Sequence, residues 1–243
     1  MAEDDPGERR LVGVLGGVGP LATAYFLQLV VRLTDADRDQ DHLDMVVFDH
    51  ASLPDRTAHV LDPQAPDPGP QLAQDVRRLE AFGAGLLVMP CNTAHSFTQH
   101  IVDAASVPFV SIVGTTVDAT RSRFPEADTV GLLATHGTVL SGVYAQAFAA
   151  HGIATLVPEP QDQETVSHVI YDQVKAGRPV DLPALQGVVS RLLERGAAAV
   201  VLGCTELSVA AADHDLLADP RYVDSLDQLA RATIVRAGHR VRD

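Results

Sequence analysis

The feature that most constrains the fold is a repeated alternation between short apolar segments and longer segments with apolar residues at helical spacing. Strands buried on both faces of a parallel sheet have such short, continuous apolar runs, because helices cover both faces. The predicted strands are Leu11–Leu15, Met45–Phe48, Leu86–Met89, Phe109–Val113, Val130–Ala134 and Ala199–Leu202. The predicted helices include Ala22–Leu33, Gln71–Phe82, Ser141–His151 and Leu182–Arg195. The sequence therefore predicts an α/β protein with parallel sheets covered by helices.

The stretch Leu61–Pro70 contains four prolines and interrupts this alternation. Proline supplies no N–H donor and is frequent in turns, so we predict a loop near a cleft. A lid over that cleft and a fixed connection are both compatible with this composition.

Two blocks of sequence occur twice, in the same order and at nearly the same spacing. Val12–Leu15 resembles Val130–Leu133, and Gly83–Cys91 resembles Gly196–Cys204. The repeat predicts two similar domains related by a pseudo-twofold axis, with an active site in the cleft between them; chance similarity of small apolar residues is the alternative. We place the first domain at residues 1–112 plus 223–243 and the second at 113–222.

Composition excludes several classes of function. The chain has 32 acidic and 18 basic residues, and its formal net charge of −14 would repel a nucleic acid. It has no apolar run long enough to span a membrane, and its acidic start is unlike a signal peptide. With only two cysteines, a disulfide framework is not expected. We expect a cytoplasmic protein that binds neither nucleic acid nor membrane.

The two cysteines occupy equivalent places in the repeat. Cys91 and Cys204 each follow a predicted buried strand and precede polar residues suited to a helix start. Ligands of parallel sheets bind at the carboxyl ends of strands, and a helix N-terminus lowers the pKa of a nearby thiol. We therefore expect thiolates to be accessible near neutral pH. The alternative for each cysteine is a small, buried apolar side chain.

Two thiols on opposite sides of one cleft suit the inversion of a carbon acid. One thiolate removes a proton from one face of the carbon while the opposite thiol delivers a proton to the other face. Asn92, Thr93 and Thr205 would hold a substrate carboxylate and stabilise the charge that develops on it, although the same residue types are frequent as helix caps.

Several motifs, in order along the chain, resemble those of the cofactor-independent aspartate/glutamate racemases, and the aspartate racemase branch in particular. They are Gly16–Thr23, Pro54–Ala58, Pro90–His95, Leu132–Thr138 and Gly203–Glu206. The resemblance implies a homodimer of two-domain α/β subunits, acting on an amino-acid or dicarboxylate substrate without pyridoxal phosphate or metal. It implies Cys91 and Cys204 as the catalytic pair, and Arg56 and Lys175 as contacts of the substrate's side-chain carboxylate. Gly17, Val18 and Thr135 lie within the matching motifs and are predicted to contact the substrate.

Lys175 is the sole lysine of the chain. All other basic residues are arginine, so the single lysine favours a specific contact. The alternative is an exposed lysine at a helix end.

Three sites depart from the motifs of the aspartate racemase branch and bear on which substrate side chain the protein accepts. Val18 stands where methionine is typical, Asp49 and His50 replace an asparagine-rich pair, and His136 replaces a smaller or different residue. A carboxylate at Asp49 facing the cleft would disfavour an acidic substrate, whereas His50 or His136 would compensate when protonated.

Other readings remain open on the sequence alone. Gly17–Ala22 fits a dinucleotide-binding pattern, but Pro20 removes an N–H from the phosphate-binding turn. Cys91 and His95 with Cys204 make a weak zinc pattern, and pyridoxal phosphate would have to bind Lys175. A maleate cis–trans isomerase uses the same pair of thiols, a malonate decarboxylase needs only one, and a non-catalytic carboxylate-binding protein needs neither.

Overall fold

The computed structural model describes residues 9–242, so the outermost parts of the first predicted domain, residues 1–8 and 243, lie outside the described range. Within it the chain forms two four-stranded sheets, and every pairing between their strands is parallel. The strands are β1 (Val12–Gly16), β2 (Met45–Asp49), β3 (Leu86–Val88), β4 (Phe109–Val110), β5 (Thr129–Leu133), β6 (Ala154–Leu156), β7 (Val200–Leu202) and β8 (Tyr222–Asp224).

Both sheets have the same connectivity. The first has the order β2-β1-β3-β4 and the second has the order β6-β5-β7-β8. The repeated blocks fall on equivalent elements, and the glycines that begin the second block, Gly83 and Gly196, have φ angles of 94° and 98°. Each glycine ends a helix in the left-handed region, which other residues rarely adopt. The predicted fold of two similar parallel α/β domains is therefore confirmed.

Helices cover the sheets. They are α1 (Pro20–Leu33), α2 (Arg56–Leu61), α3 (Gly69–Ala81), α4 (Thr98–Ala104), α5 (Ile112–Arg123), α6 (His136–Ser141), α7 (Val143–Ala149), α8 (Pro160–His168), α9 (Leu182–Glu194), α10 (Thr205–Asp213) and α11 (Ser225–Arg236). A π-helical turn, Val169–Val174, continues α8, and a 3-10 turn, Thr93–Phe97, precedes α4. None of the described helices is long and apolar enough to cross a membrane.

Four local predictions differ from the structure. The strand predicted at Phe109–Val113 stops at Val110, because Ser111 caps α5 by accepting a hydrogen bond from the Gly114 N–H at 3.2 Å. The helix predicted at Ser141–His151 is interrupted at Gly142, whose φ is 70°. Strands β6 and β8 were not predicted because the polar residues Thr155 and Asp224 interrupt their apolar runs, whereas the equally short β3 and β7 are wholly apolar.

The predicted loop Leu61–Pro70 is shorter than expected. Leu61 is the last residue of α2, and Gly69 and Pro70 begin α3, so residues 62–68 form the connection. The ring nitrogen Nδ1 of His59 lies 2.8 Å from the Ala65 carbonyl oxygen, which ties this connection to α2.

One apolar core joins both halves. Val14 and Val88 from the first sheet, Leu132 and Val201 from the second, and Ile234 from α11 belong to the same buried cluster. Two further clusters lie beneath the outer helices of each half. Strand β8 spans the proposed boundary at residues 222/223, and the division into 1–112 plus 223–243 and 113–222 stays a prediction.

Asp224, at the end of β8, is a buried carboxyl group. Its Oδ1 accepts hydrogen bonds from the Ser208 hydroxyl and the Leu226 N–H, and its Oδ2 has no hydrogen-bond partner among the described residues. Burial raises the pKa of Asp224 to about 7. The folded protein therefore holds a proton that the unfolded chain releases near pH 4.

Because the folded-state pKa is the higher one, this group's contribution to stability is lost as the pH rises from about 4 to about 7. Asp224→Asn imitates the protonated carboxyl and should remove that loss. The free energy of unfolding of the variant, relative to the native protein, should rise between pH 4 and pH 8 by up to about 4 kcal/mol. Urea unfolding at both pH values measures it, with the exposed Asp118→Asn as control; equal changes in all three proteins would contradict the prediction.

Candidate active site

The two cysteines end equivalent strands and point into the same cleft. Cys91 follows β3 and Cys204 follows β7, where it is the N-cap residue of α10. Their exposures are 6% and 4%, and both are free thiols. The carboxyl ends of β3 and β7 therefore bring one sulfur from each half to one site.

His95 fixes the backbone at Cys91. The Ile112 N–H donates to His95 Nε2 at 3.1 Å, so the ring proton is on Nδ1, which donates to the Cys91 carbonyl oxygen at 2.7 Å. Burial lowers the pKa of His95 to about 4, and the ring is neutral at physiological pH. Both ring nitrogens are occupied, so His95 is not placed to bind a metal together with the Cys91 sulfur.

Both sulfurs line one small, partly open cavity of about 20 Å³, roughly the room that one water molecule needs. Every residue predicted to touch the substrate lines this thiol cavity except Gly17: Val18, Arg56, Cys91, Asn92, Thr93, Thr135, Lys175, Cys204 and Thr205. Gly17 lies in an adjoining outer cavity, at a φ of 79° and against the backbone of His50. The roles of these residues stay predictions.

Four lining residues were not predicted: Asp55, Thr57, Tyr171 and Glu206. Tyr171 comes from the π-helical turn, which also brings Lys175 to the cavity, with its Nζ 4.8 Å from the centre of the Tyr171 ring. Such turns often occur at functional sites, but no sequence signal marks this one. Glu206 does have a signal, since it closes the same short motif as Cys204.

Buried hydrogen bonds join the halves around the cavity. The Asn92 side chain donates to Ser225 Oγ at 3.1 Å and accepts a hydrogen bond from the Tyr144 hydroxyl. Thr93 Oγ1 lies 3.0 Å from Thr135 Oγ1 and 2.9 Å from Thr138 Oγ1. These side chains hold the two sheets in register, which is a structural role that the sequence did not indicate for Asn92.

A second contact between the halves lies beside Tyr171. Its hydroxyl oxygen lies 3.2 Å from Thr57 Oγ1 on α2, and a Cβ at Gly137 would come within 2.9 Å of the Thr57 Cα. Only glycine allows α2 and α6 to approach this closely. The helix that carries Arg56 therefore rests against the other half.

Cys204 is held as a neutral thiol. Its Sγ donates to Glu206 Oε2 at 3.0 Å, and Glu206 Oε1 lies 3.6 Å from Lys175 Nζ. Burial, and next the Glu206 carboxylate, raise the pKa of Cys204 well above its usual value. Burial alone would lower the pKa of Lys175, but Glu206 and the two sulfurs raise it overall.

Cys91 has a different electrostatic environment. Burial raises the pKa of this thiol too, but the Arg56 guanidinium and the Ala94 N–H oppose the rise. The prediction of thiolates accessible near neutral pH is therefore wrong for the closed site, because desolvation outweighs the helix N-termini. The two sulfurs nevertheless differ, since Cys204 is hydrogen-bonded to a carboxylate and Cys91 has no such partner within residues 9–242.

The residues that depart from the aspartate branch lie outside the thiol cavity, apart from Val18. Asp49 is exposed at the end of β2. His50 Nδ1 lies 2.7 Å from the buried carboxylate of Asp75. His136 is exposed, 3.9 Å from Glu164. None of the three lines the thiol cavity. The structure therefore shows no direct contact by which Asp49, His50 or His136 would select a substrate by its charge.

The Asp/Glu/hydantoin racemase family model matches residues 15–233. Broad specificity amino-acid racemase RacX of Bacillus subtilis is 25% identical over 228 residues, which cover 92% of this chain and 96% of that protein. A solved Picrophilus torridus aspartate racemase has a TM-score of 0.79 at 28% identity and covers 96% of both chains. Glutamate racemase from Francisella tularensis, in complex with D-glutamate, has a TM-score of 0.65 at 18% identity over 93% of this chain and 80% of that one, which shows the fold.

Glu206→Gln keeps the shape of the side chain but removes the charge beside Cys204. The pKa of Cys204 should fall by about one pH unit or more, because a nearby carboxylate disfavours a thiolate and Lys175 is left unpaired. The midpoint of the alkylation rate against pH, measured in a Cys91→Ser background, reports this pKa. Glu194→Gln, an exposed change on α9, is the matched control; an unchanged midpoint in Glu206→Gln would contradict the assignment.

Proposed function

The chain belongs to the Asp/Glu/hydantoin racemase family, and on that premise we propose that this isomerase interconverts the enantiomers of aspartate or a related acidic amino acid. Cys91 and Cys204 act as the opposed acid and base, without pyridoxal phosphate or metal. The observation that carries the proposal is the pair of buried thiols lining one small cavity from equivalent ends of two equivalent sheets.

The reaction exchanges one proton on each face of the α-carbon. The step begins in molecules whose Cys91 has already lost its proton to solvent. This thiolate takes the α-proton, which breaks the C–H bond and forms an S–H bond, while the electron pair moves onto the substrate carboxylate. Cys204 then gives its proton to the opposite face, which leaves a thiolate there. In the reverse direction the two sulfurs exchange roles.

The charge that develops on the substrate carboxylate needs donors beside the cavity. The N-terminus of α10 begins at Cys204, and the first N–H groups of a helix have no partners within the helix. Thr93, Thr135 and Thr205 add hydroxyl groups to the lining of the same cavity. Donors fixed in a closed site stabilise such a charge more than water does.

Arg56 and Lys175 support an acidic substrate, because both cations line the cavity. The similarity to an aspartate racemase at 28% identity favours aspartate, while the relative with broad specificity favours a wider range. Since Lys175 is already paired with Glu206, a side-chain carboxylate of the substrate must share this lysine.

The cellular setting is part of the proposal. Acid–base catalysis by two thiols requires that both stay reduced, which supports a cytoplasmic location. The family resemblance supports a homodimer. A small-molecule substrate with no nucleic-acid partner agrees with the net charge of −14.

The test incubates the protein with L-aspartate in deuterated water and follows both the loss of the α-proton signal by NMR and the formation of the D-enantiomer. Racemisation should fall by about 10²–10⁴-fold in Cys91→Ser and in Cys204→Ser, because each variant lacks one acid/base group. Unchanged unfolding midpoints serve as the control for folding. Turnover of maleate, without exchange at any amino acid, would assign the chain to cis–trans isomerisation instead.

A further inference from the structure

Glu206 is a buried carboxylate that lines two cavities. One is the thiol cavity, and the other is the adjoining outer cavity, which has a volume of about 530 Å³. The Glu206 side chain is only 8% exposed. Leu21, which also lines the outer cavity, is 54% exposed, so this cavity opens to solvent. Glu206 therefore connects the thiol cavity with a space that bulk water reaches.

The two oxygens of Glu206 face different groups. Oε2 accepts a hydrogen bond from Cys204 Sγ at 3.0 Å. Oε1 lies 3.6 Å from Lys175 Nζ, and a Cβ at Gly19 would come within 3.0 Å of the same oxygen. Lys175 and Gly19 both line the outer cavity. One oxygen is therefore bonded to the thiol, and the other lies at the wall of the outer cavity.

Each turnover leaves the two sulfurs in the wrong protonation states for the next one. In the proposed reaction Cys204 gives its proton to the α-carbon and becomes a thiolate, while Cys91 keeps the proton that it took. Before the same enantiomer reacts again, Cys204 must regain a proton and Cys91 must lose one. Since Cys204 is only 4% exposed, water has little direct access to its sulfur. A proton-carrying group already bonded to this sulfur gives the shortest route.

Electrostatics favour proton uptake by the pair of Cys204 and Glu206. At the observed separation of 3.0 Å, a Cys204 thiolate and a Glu206 carboxylate would repel each other, and a proton on either group relieves the repulsion. Lys175 is a counter-charge and not the proton donor. Burial alone would lower the pKa of Lys175, but Glu206 and the two sulfurs raise it overall, so the ammonium keeps its proton.

We propose that Glu206 is a third acid/base residue, which carries protons between the Cys204 sulfur and water in the outer cavity. The inference rests on the proposed racemase function and adds the step that resets the enzyme between turnovers. The carboxylate takes a proton from hydronium in the outer cavity, and rotation of the carboxyl group turns the O–H toward the sulfur. The O–H bond then breaks as the S–H bond of Cys204 forms, which restores the carboxylate. In the other direction the thiol gives its proton to Glu206, which releases it to water.

Product inhibition measures this reset. When the reset is fast, D-aspartate inhibits the racemisation of L-aspartate competitively, because the two forms of the free enzyme interconvert before either enantiomer binds. When the reset is slow, D-aspartate traps the form that it has just left, and saturating L-aspartate does not overcome the inhibition. We expect competitive inhibition in the native protein and noncompetitive inhibition in Glu206→Gln, with kcat lowered by about 10²-fold. Glu194→Gln, an exposed change on α9, is the matched control and should behave as the native protein does.

A second variant tests proton delivery by an added carboxylate. Glu206→Ala removes the side-chain carboxylate and leaves space for formate beside Lys175. Formate in the assay should raise kcat of Glu206→Ala by about tenfold or more and make the inhibition competitive again, because it carries protons in place of Glu206. It should have no such effect on Glu206→Gln, whose amide fills the space. Unfolding midpoints of both variants serve as the control for folding.

The outcomes separate the two proposals. Competitive inhibition in Glu206→Gln, or in Glu206→Ala without formate, would overturn the proton route and leave the racemase standing. A loss of kcat in Glu206→Ala that formate does not restore would assign Glu206 a purely structural role and would overturn the proton route as well. No racemisation of aspartate by the native protein would overturn the proposed function itself, and the proton route with it.

Discussion

The polar seam between the two halves is the constraint on which the rest of the structure depends. Each half presents buried hydroxyl and amide groups at the carboxyl edge of its sheet, and these groups must find partners because water is excluded. Asn92 meets Ser225 and Tyr144, and Thr93 meets Thr135. A displacement of one sheet against the other would leave several of these groups unpaired. The seam therefore fixes the distance and orientation of the two strand ends that carry the cysteines.

Burial also disfavours the ionised form of the two thiols. The closure that brings the sulfurs together also removes them from water, which raises the pKa of both thiols. The charged neighbours then act in opposite directions: Arg56 lowers the pKa of Cys91 against the effect of burial, whereas Glu206, bonded to Cys204, raises the pKa of that thiol further. Glu206 also compensates Lys175, so one carboxylate affects both the proton of a thiol and the charge available to a substrate. In the proposed mechanism, proton transfer and substrate choice are therefore coupled through this side chain.

Much of the site was visible in the sequence because it lies in short segments directly after strands. The apolar runs before these segments are recognisable as buried parallel strands, and they are followed by Cys91 and Thr93 in one half and by Cys204 and Thr205 in the other. Parallel strands bring their carboxyl ends to one edge of a sheet. The same logic failed where the pattern was short or interrupted. Strands β6 and β8 have three residues each, and Gly142 divides what looked like one helix. Thr155 and Asp224 interrupt the apolar runs of these two strands, whereas the equally short β3 and β7 are wholly apolar.

The sequence by itself determined the α/β class, the parallel sheets, the internal repeat and the equivalence of the two cysteines, because each depends on local patterns of apolar residues and glycines. Only the tertiary structure decided that Tyr171 and Thr57 meet across the cleft, that His50 pairs with Asp75 instead of facing the site, and that desolvation outweighs the helix N-termini at the thiols. These outcomes depend on which surfaces exclude water from each other. Water is excluded where segments far apart in the chain pack together, and a local sequence pattern does not show which segments will pack.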